Sequence, residues 1–195
     1  MKYFRYLFNI FKSFFYDLYY LFFENLAQRK GAYSYKIYKS TKYYSDHIKQ
    51  GAAIEGVKYL AQKYCKGVGV DIGASDWLLD GARPIEDNED ENAYKILEKE
   101  GSLDYIFSSH LLEHLESPLD AIDEWSNKLK SGGILFMYLP HPSCHMWKKE
   151  NLRYHLWNPD PYSLEEMFSD SSFNIEYISY LPDGYMSFVC IVRKK

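Results

Sequence analysis

Hydrophobic and polar positions follow two different periods after residue 51. Between Ala52 and Tyr64 the apolar residues Ile54, Val57, Leu60, Ala61 and Tyr64 recur at three- and four-residue steps, which predicts a helix. The stretch from Gly67 to Trp77, GVGVDIGASDW, is a β-type apolar run that stops on Asp71 and turns through Gly73. Arg83 to Asp87 is a short strand candidate, and the runs at Leu103 to His110 and Gly132 to Pro140, the latter the most apolar, have the character of strands buried in a parallel sheet. Between the last two, SPLDAIDEWSNKLKSGG predicts a helix with Ser117 as cap, Pro118 at the first helical position, Asp120 in the first turn and Gly132-Gly133 as its end. That unit is a right-handed β-α-β crossover. A capped helix, PYSLEEMFSD, comes next, and FNIEYISYLP and GYMSFVCIVRKK are strands joined at Pro182-Asp183-Gly184, an antiparallel hairpin. The pattern predicts an α/β fold: a doubly wound, mostly parallel sheet with a C-terminal antiparallel hairpin.

The first 30 residues differ. Lys2, Arg5, Asn9, Lys12, Ser13, Asp17 and Glu24 line one stripe of a helix whose remaining surface is Phe, Tyr, Leu and Ile. A spanning helix needs about 20 largely uncharged residues, so Lys12 and Asp17 argue for an amphipathic helix instead. Its apolar face needs a cover, either a membrane surface, which the basic residues on the polar side of residues 1–26 suit, or a partner subunit, or the domain's own flank. No small-residue cleavage site follows. Residues 31–51, rich in Tyr and Lys, form a linker or lid, and 52–195 form the α/β domain.

Charge and cysteine content narrow the setting. With 23 basic and 27 acidic residues, a net charge of -4 gives no drive toward a polyanion, which excludes nucleic acid as the expected partner. Cys65, Cys144 and Cys190 are odd in number, widely spaced and without CxxC spacing. They build neither a disulfide framework nor a thiolate zinc site, and a cytoplasmic setting follows.

The order DIG, SSHLLEHLESP and GGILFMYLPHP at successive strand ends outlines a nucleotide-type cofactor cleft. Over Ala52 to Lys195 this order resembles the class I S-adenosylmethionine-dependent methyltransferases, in particular a small bacterial branch with DIG, SSHxLEHL and GGxLFxYLPHP motifs. The resemblance implies a Rossmann-like methyltransferase fold and S-adenosylmethionine as methyl donor. It places Asp71, Gly73, Ala74 and Ser75 against the donor's methionine part, and Glu86, with Asp87 second, on the ribose hydroxyls. Asn92 and Ala93 then flank adenine, and Ser108 and Ser109 complete the cleft. One glycine stands where the family shows two or three, and only about thirty residues separate Asp71 from Leu103, so the middle of the fold is shortened. A member that has lost activity and serves as a binding or scaffold protein is the alternative.

The acceptor side falls to histidines. His110, Glu113 and His114 at i, i+3 and i+4 project from one helical face and form a formal divalent metal triad. HxxEH is also the inverzincin spacing, which keeps a metal-dependent hydrolase as a further alternative. His110 and His141 are the candidates for base or acceptor anchor, and Trp147 and Trp157 for stacking on an acceptor ring. The reaction expected is O-methylation of a small or carbohydrate-like acceptor. The glycan suggestion comes from association with the resembling branch, with the N-terminal helix peripheral to the inner face of a membrane.

Overall fold

The computed structural model describes residues 35–38, 41–44, 56–74, 77–144, 147–149 and 154–195. The expected N-terminal amphipathic helix, residues 52–55 of the first catalytic-domain helix, Ser75 and His145 lie outside the described residues. Within the stretch expected to be a linker, β1 (Tyr35–Tyr38) and β2 (Thr41–Tyr44) pair antiparallel, with Tyr35 opposite Tyr44. Tyr, Ile and Thr at these positions favour extended backbone, which the absence of a long apolar run had obscured.

The main sheet contains β3 (Gly69–Ile72), β4 (Arg83–Ile85), β5 (Leu103–Ser109), β6 (Leu129–Pro140), β7 (Phe173–Ile178) and β8 (Ser187–Lys194). Its order is β4-β3-β5-β6-β8-β7. The pairs β3/β4, β3/β5 and β5/β6 are parallel, whereas β8 runs antiparallel to both β6 and β7. This is the doubly wound, mostly parallel sheet with an antiparallel C-terminal pair that the pattern predicts. α1 (Lys58–Tyr64) lies on one face, where Val57 and Ala61 join Tyr105, Phe107, Phe136 and Ile191. α2 (Pro118–Lys128) and α3 (Pro161–Ser169) cover the other, with Trp125, Leu164 and Phe168 packed against Ile106, Leu135 and Met137. Strands buried on both faces need apolar residues at every position, hence the unbroken runs.

Two local expectations are corrected. α2 ends at Lys128 rather than at Gly132-Gly133, because Leu129 is fully buried and pairs with Leu103 as the first residue of β6. The intervening residues bulge out before Ile134 pairs with Tyr105, and Gly132 takes a φ of +81° there. The Nζ of Lys194 instead closes the helix end, donating to the Ser126 and Leu129 carbonyls at 2.6 and 2.9 Å. Ser117 precedes α2 without a side-chain capping bond, and its N–H donates to the Tyr94 hydroxyl. α3 does carry a capping box, in which Asp160 Oδ1 accepts from the Tyr162 and Ser163 N–H groups and Ser163 Oγ answers the Asp160 N–H.

The shortened middle is held by charge. Arg83, at the start of β4, donates two bonds to Glu91 at 2.8 and 2.6 Å and two to Glu98 at 2.6 Å each. A planar guanidinium matched to two carboxylates ties the segment after β4 back onto the sheet where another strand and helix would stand. Arg83→Lys cannot reproduce that fork, so we expect it to lose about 1.5–3 kcal/mol of stability in urea unfolding. An unchanged midpoint and slope would show that the clamp contributes nothing.

Candidate functional site

Strand register decides what meets at the sheet's C-terminal rim. Ile72 pairs with Ile85 on one side and Ser108 on the other, and Ser109 pairs with Tyr138, so β3, β4, β5 and β6 end near one line. Gly73, Glu86, His110 and His141 each follow one of those ends, where a doubly wound sheet opens its crevice.

The first turn is built by Asp71 and Gly73. Asp71 is 1 % exposed; its Oδ2 accepts from the Leu79 N–H at 2.8 Å, so it folds the turn back, while Oδ1 is buried without a partner. Burial raises this carboxyl to about 7, with the Leu79 N–H opposing and nearby Glu86 adding to the rise. Gly73 has φ +74° and donates to the Ile85 carbonyl at 2.8 Å, extending the β3/β4 pairing by one bond. A Cβ on Gly73 would stand 3.1 Å from Leu111, so glycine is required for both backbone shape and approach. Ala74 is buried, and its carbonyl accepts from the Trp77 N–H. Glu86 and Asp87 are exposed at the rim beside this turn.

Ser108 and Ser109 are both buried, and Ser108 Oγ has no partner. Asn92 Oδ1 accepts from the Tyr94 N–H in a local turn, and the Ala93 carbonyl accepts from Trp125 Nε1 at 2.8 Å. Ala93 belongs to the core beneath α2, so the segment after β4 is anchored from below.

His110 takes φ +50°, uncommon outside glycine, and its backbone N–H still donates to the Tyr138 carbonyl. Its ring lies edge-on to Trp147 and Tyr138, with centroids 4.8 and 5.4 Å away, and Nε2 is 2.8 Å from Ser187 Oγ. Burial, with His155 and His114 close by, lowers His110 to about 3, so it is neutral near pH 7. His141 is buried as well. Its Nδ1 accepts from the Ser143 N–H at 3.1 Å with Ser143 Oγ at 2.7 Å, and Nε2 faces the Tyr180 carbonyl at 3.4 Å. Both nitrogens are thus engaged with the chain, which suits an anchor of the post-β6 loop.

The expected helical His110-Glu113-His114 face is corrected. A single 3-10 turn, Leu112–His114, replaces the α-helix, and His110 turns toward Ser187 before it begins. Both histidines of an inverzincin site need a longer helical bed, so the hydrolase geometry is missing here. Glu113 and His114 gather with His155 instead, one ligand atom of each lying within 4.8 Å of the others. His155 arrives on a loop that docks on the turn: the Leu156 N–H donates to the Glu113 carbonyl and Trp157 Nε1 to that of Leu112, both at 2.8 Å. Trp157 thereby packs against the main core, and Trp147 lies edge-on to His110.

Sequence reasoning missed a second network. Tyr138, inside β6, donates its hydroxyl to Asp183 Oδ2 at 2.6 Å, while Asp183 Oδ1 accepts from the Tyr185 and Ser187 N–H groups. Pro182-Asp183-Gly184 signals a turn in sequence; only the β6/β8 pairing brings its carboxylate to Tyr138. Beside it a cavity of about 460 Å³ opens between Gly56, Val57 and Leu60 at the start of α1 and Tyr180, Leu181 and Asp183.

Among the described residues all three cysteines are free, and no helix is long and apolar enough to cross a membrane. A search of curated proteins by sequence finds no match. Among solved structures, an S-adenosylmethionine-dependent methyltransferase from Thermotoga maritima is 15 % identical with a TM-score of 0.57, over 76 % of this chain and 91 % of that one. A second, from Aquifex aeolicus, is 13 % identical with a TM-score of 0.50, over 79 % and 100 %. The 1,6-didemethyltoxoflavin-N1-methyltransferase of Burkholderia thailandensis, solved with 1,6-didemethyltoxoflavin and S-adenosylhomocysteine, is 13 % identical with a TM-score of 0.52, over 76 % and 78 %. At such identities the likeness is one of fold. Residues 52–176 match the model of a methyltransferase domain, and the chain belongs to that methyltransferase family.

Proposed function

We propose that the protein transfers methyl groups from S-adenosylmethionine to an oxygen of a small or carbohydrate-like acceptor. The observation that carries this reading is the register that sets the Gly73 turn, Glu86 and Ser108 to His110 side by side at one rim. The residues there fit the donor. The orphaned Oδ1 of Asp71 and Oγ of Ser108 are buried polar atoms at the end of the sheet, and the Gly73 turn has no side chain of its own. Asp71, Gly73 and Ala74, with Ser75 next in sequence, would hold the methionine part, Glu86 and Asp87 the ribose, and Asn92, Ala93, Ser108 and Ser109 the adenine side. S-adenosylmethionine, when bound, supplies an electrophilic methyl group on a sulfonium.

The chain's own part is positioning, since methyl transfer is an in-line displacement that depends on near-attack geometry. The cavity beside Asp183 is of a size for a small acceptor, and the Asp183-Tyr138 pair fixes its wall. His110, neutral and held by Ser187, would orient an acceptor group, and His141, with both nitrogens engaged by the chain, would hold the loop after β6 in place. A histidine lowered to about 3 is a weak base, so His110 serves orientation ahead of deprotonation. The amphipathic pattern of residues 1–26 supports docking of the protein at a membrane surface.

Calorimetric titration with S-adenosylhomocysteine tests the reading. Binding is expected, and Glu86→Ala should weaken it roughly 10- to 150-fold, the worth of a charge-assisted pair of hydrogen bonds. No heat at millimolar ligand would leave the scaffold reading in its place.

A further inference from the structure

We infer that Glu113, His114 and His155 hold a divalent transition ion of the zinc class beside the acceptor side of the cleft. The inference rests on the placement of donor atoms and extends the methyltransferase reading without depending on donor binding. Glu113 is fully buried, yet neither carboxylate oxygen has a hydrogen-bond partner. Around its Oε1 stand Nε2 of His114 and Nε2 of His155, each at 3.9 Å, and Nδ1 of His110 at 3.5 Å. Nothing among these neighbours hydrogen-bonds to the acid, although burying a carboxyl without a donor is costly.

The tautomer of His114 sharpens the point. Its Nδ1 lies 2.9 Å from the Tyr154 carbonyl, which only accepts, so the ring proton belongs on Nδ1 and the neutral ring turns a bare lone pair at Nε2 toward Glu113. Either a proton on the acid or a metal ion can stand between such groups, and the 3.9 Å gap is too long for the proton's hydrogen bond. A carbonyl accepting the far N–H is also the usual outer support of a metal-bound histidine. Tetrahedral zinc with N and O ligands at its ordinary bond lengths sets ligand atoms about 3.3 Å apart, so roughly half an ångström of side-chain movement closes the 3.9 Å gaps. His110 stands outside the three groups whose ligand atoms all lie within 4.8 Å of one another, although its Nδ1 is 3.5 Å from Glu113 Oε1. Two imidazoles and one carboxylate, without sulfur, select zinc or a neighbouring first-row ion over magnesium. Three protein ligands leave a fourth position, and the 36 % exposed side chain of His114 marks the side that solvent or an acceptor oxygen reaches. The ion would also staple the loop carrying His155 to the turn carrying Glu113, closing the wall beside His110.

The test is dialysis of the full chain against chelator, then against zinc alone, followed by elemental analysis and thermal unfolding. About one zinc per chain and a raised unfolding temperature are expected. His114→Ala, at a half-exposed position that spares the fold, and His155→Ala should each weaken zinc binding by more than the roughly 10- to 100-fold that loss of an outer partner costs. Glu116→Gln, an exposed acid nearby, and His110→Asn, which tolerates the positive φ, should keep the ion. Zinc that stays in both His114→Ala and His155→Ala, or a wild-type chain that takes up none, overturns the site. Zinc lost in His110→Asn but kept in His155→Ala overturns this ligand set. S-adenosylhomocysteine titrated into the chelated protein separates the two readings, because donor binding without zinc uptake defeats only the metal, and zinc uptake without donor binding defeats only the transferase.

Discussion

Asp71→Asn is expected to stabilise the protein increasingly as pH rises, by nothing at about pH 4 and by up to about 4 kcal/mol above about pH 8. The carboxyl is raised from 3.8 to about 7 in the folded chain, first by burial and further by Glu86, against the Leu79 N–H bond. The sign follows from where the proton is held. Below about pH 4 both folded and unfolded chains carry it, and the group costs nothing. Between about pH 4 and pH 7 the unfolded chain ionises while the folded one retains the proton, so this group's share of stability falls as pH rises. Asparagine removes the titration and still offers an oxygen to the Leu79 N–H. Urea unfolding of both proteins from pH 4 to pH 8 reads the difference, and a gap that stays constant across that range would show that Asp71 is not the buried acid described here.

The second large effect is expected at Trp125, the biggest fully buried side chain. Trp125→Ala should lose about 3–5 kcal/mol, from lost apolar burial plus a cavity under α2. Its indole N–H also holds the Ala93 carbonyl at 2.8 Å, which is how the shortened segment after β4 stays beneath the proposed adenine site. Trp125→Phe separates the two contributions, since it keeps most of the ring and should lose about 1–3 kcal/mol for the unpaired carbonyl. If Asn92 and Ala93 flank the donor, Trp125→Phe will also weaken S-adenosylhomocysteine binding while remaining folded at 25 °C; undiminished affinity in a destabilised Trp125→Phe would remove that segment from the donor site.

How much of this was legible in the chain depended on the range of the interaction involved. The strands at Leu103 to Ser109 and Ile134 to Pro140 were plain because every residue must be apolar when a strand is covered on both faces. The Asp71-Ile72-Gly73 turn was legible for a similarly local reason, a backbone shape that only glycine adopts cheaply. The end of α2 was misread because Gly132-Gly133 looks like a helix stop, yet burial of Leu129 against Leu103 draws the chain into the sheet sooner. Tertiary packing overrode the local signal there. The HxxEH spacing was misread likewise, since a single 3-10 turn does not stack i and i+4 on one face.

By itself the sequence determined which segments become strands of the main sheet, that this sheet is mostly parallel with an antiparallel end, and that acidic and glycine residues sit at the end of β3. Periodicity and turn chemistry carry that information, because they record only which face of each element is buried. Tertiary structure alone decided that His155 meets Glu113, that Asp183 meets Tyr138, and that Arg83 grips Glu91 and Glu98. Those pairs join elements brought together by strand order and loop path, and no repeat of three, four or two residues along a chain encodes where a loop lands on the far side of a sheet.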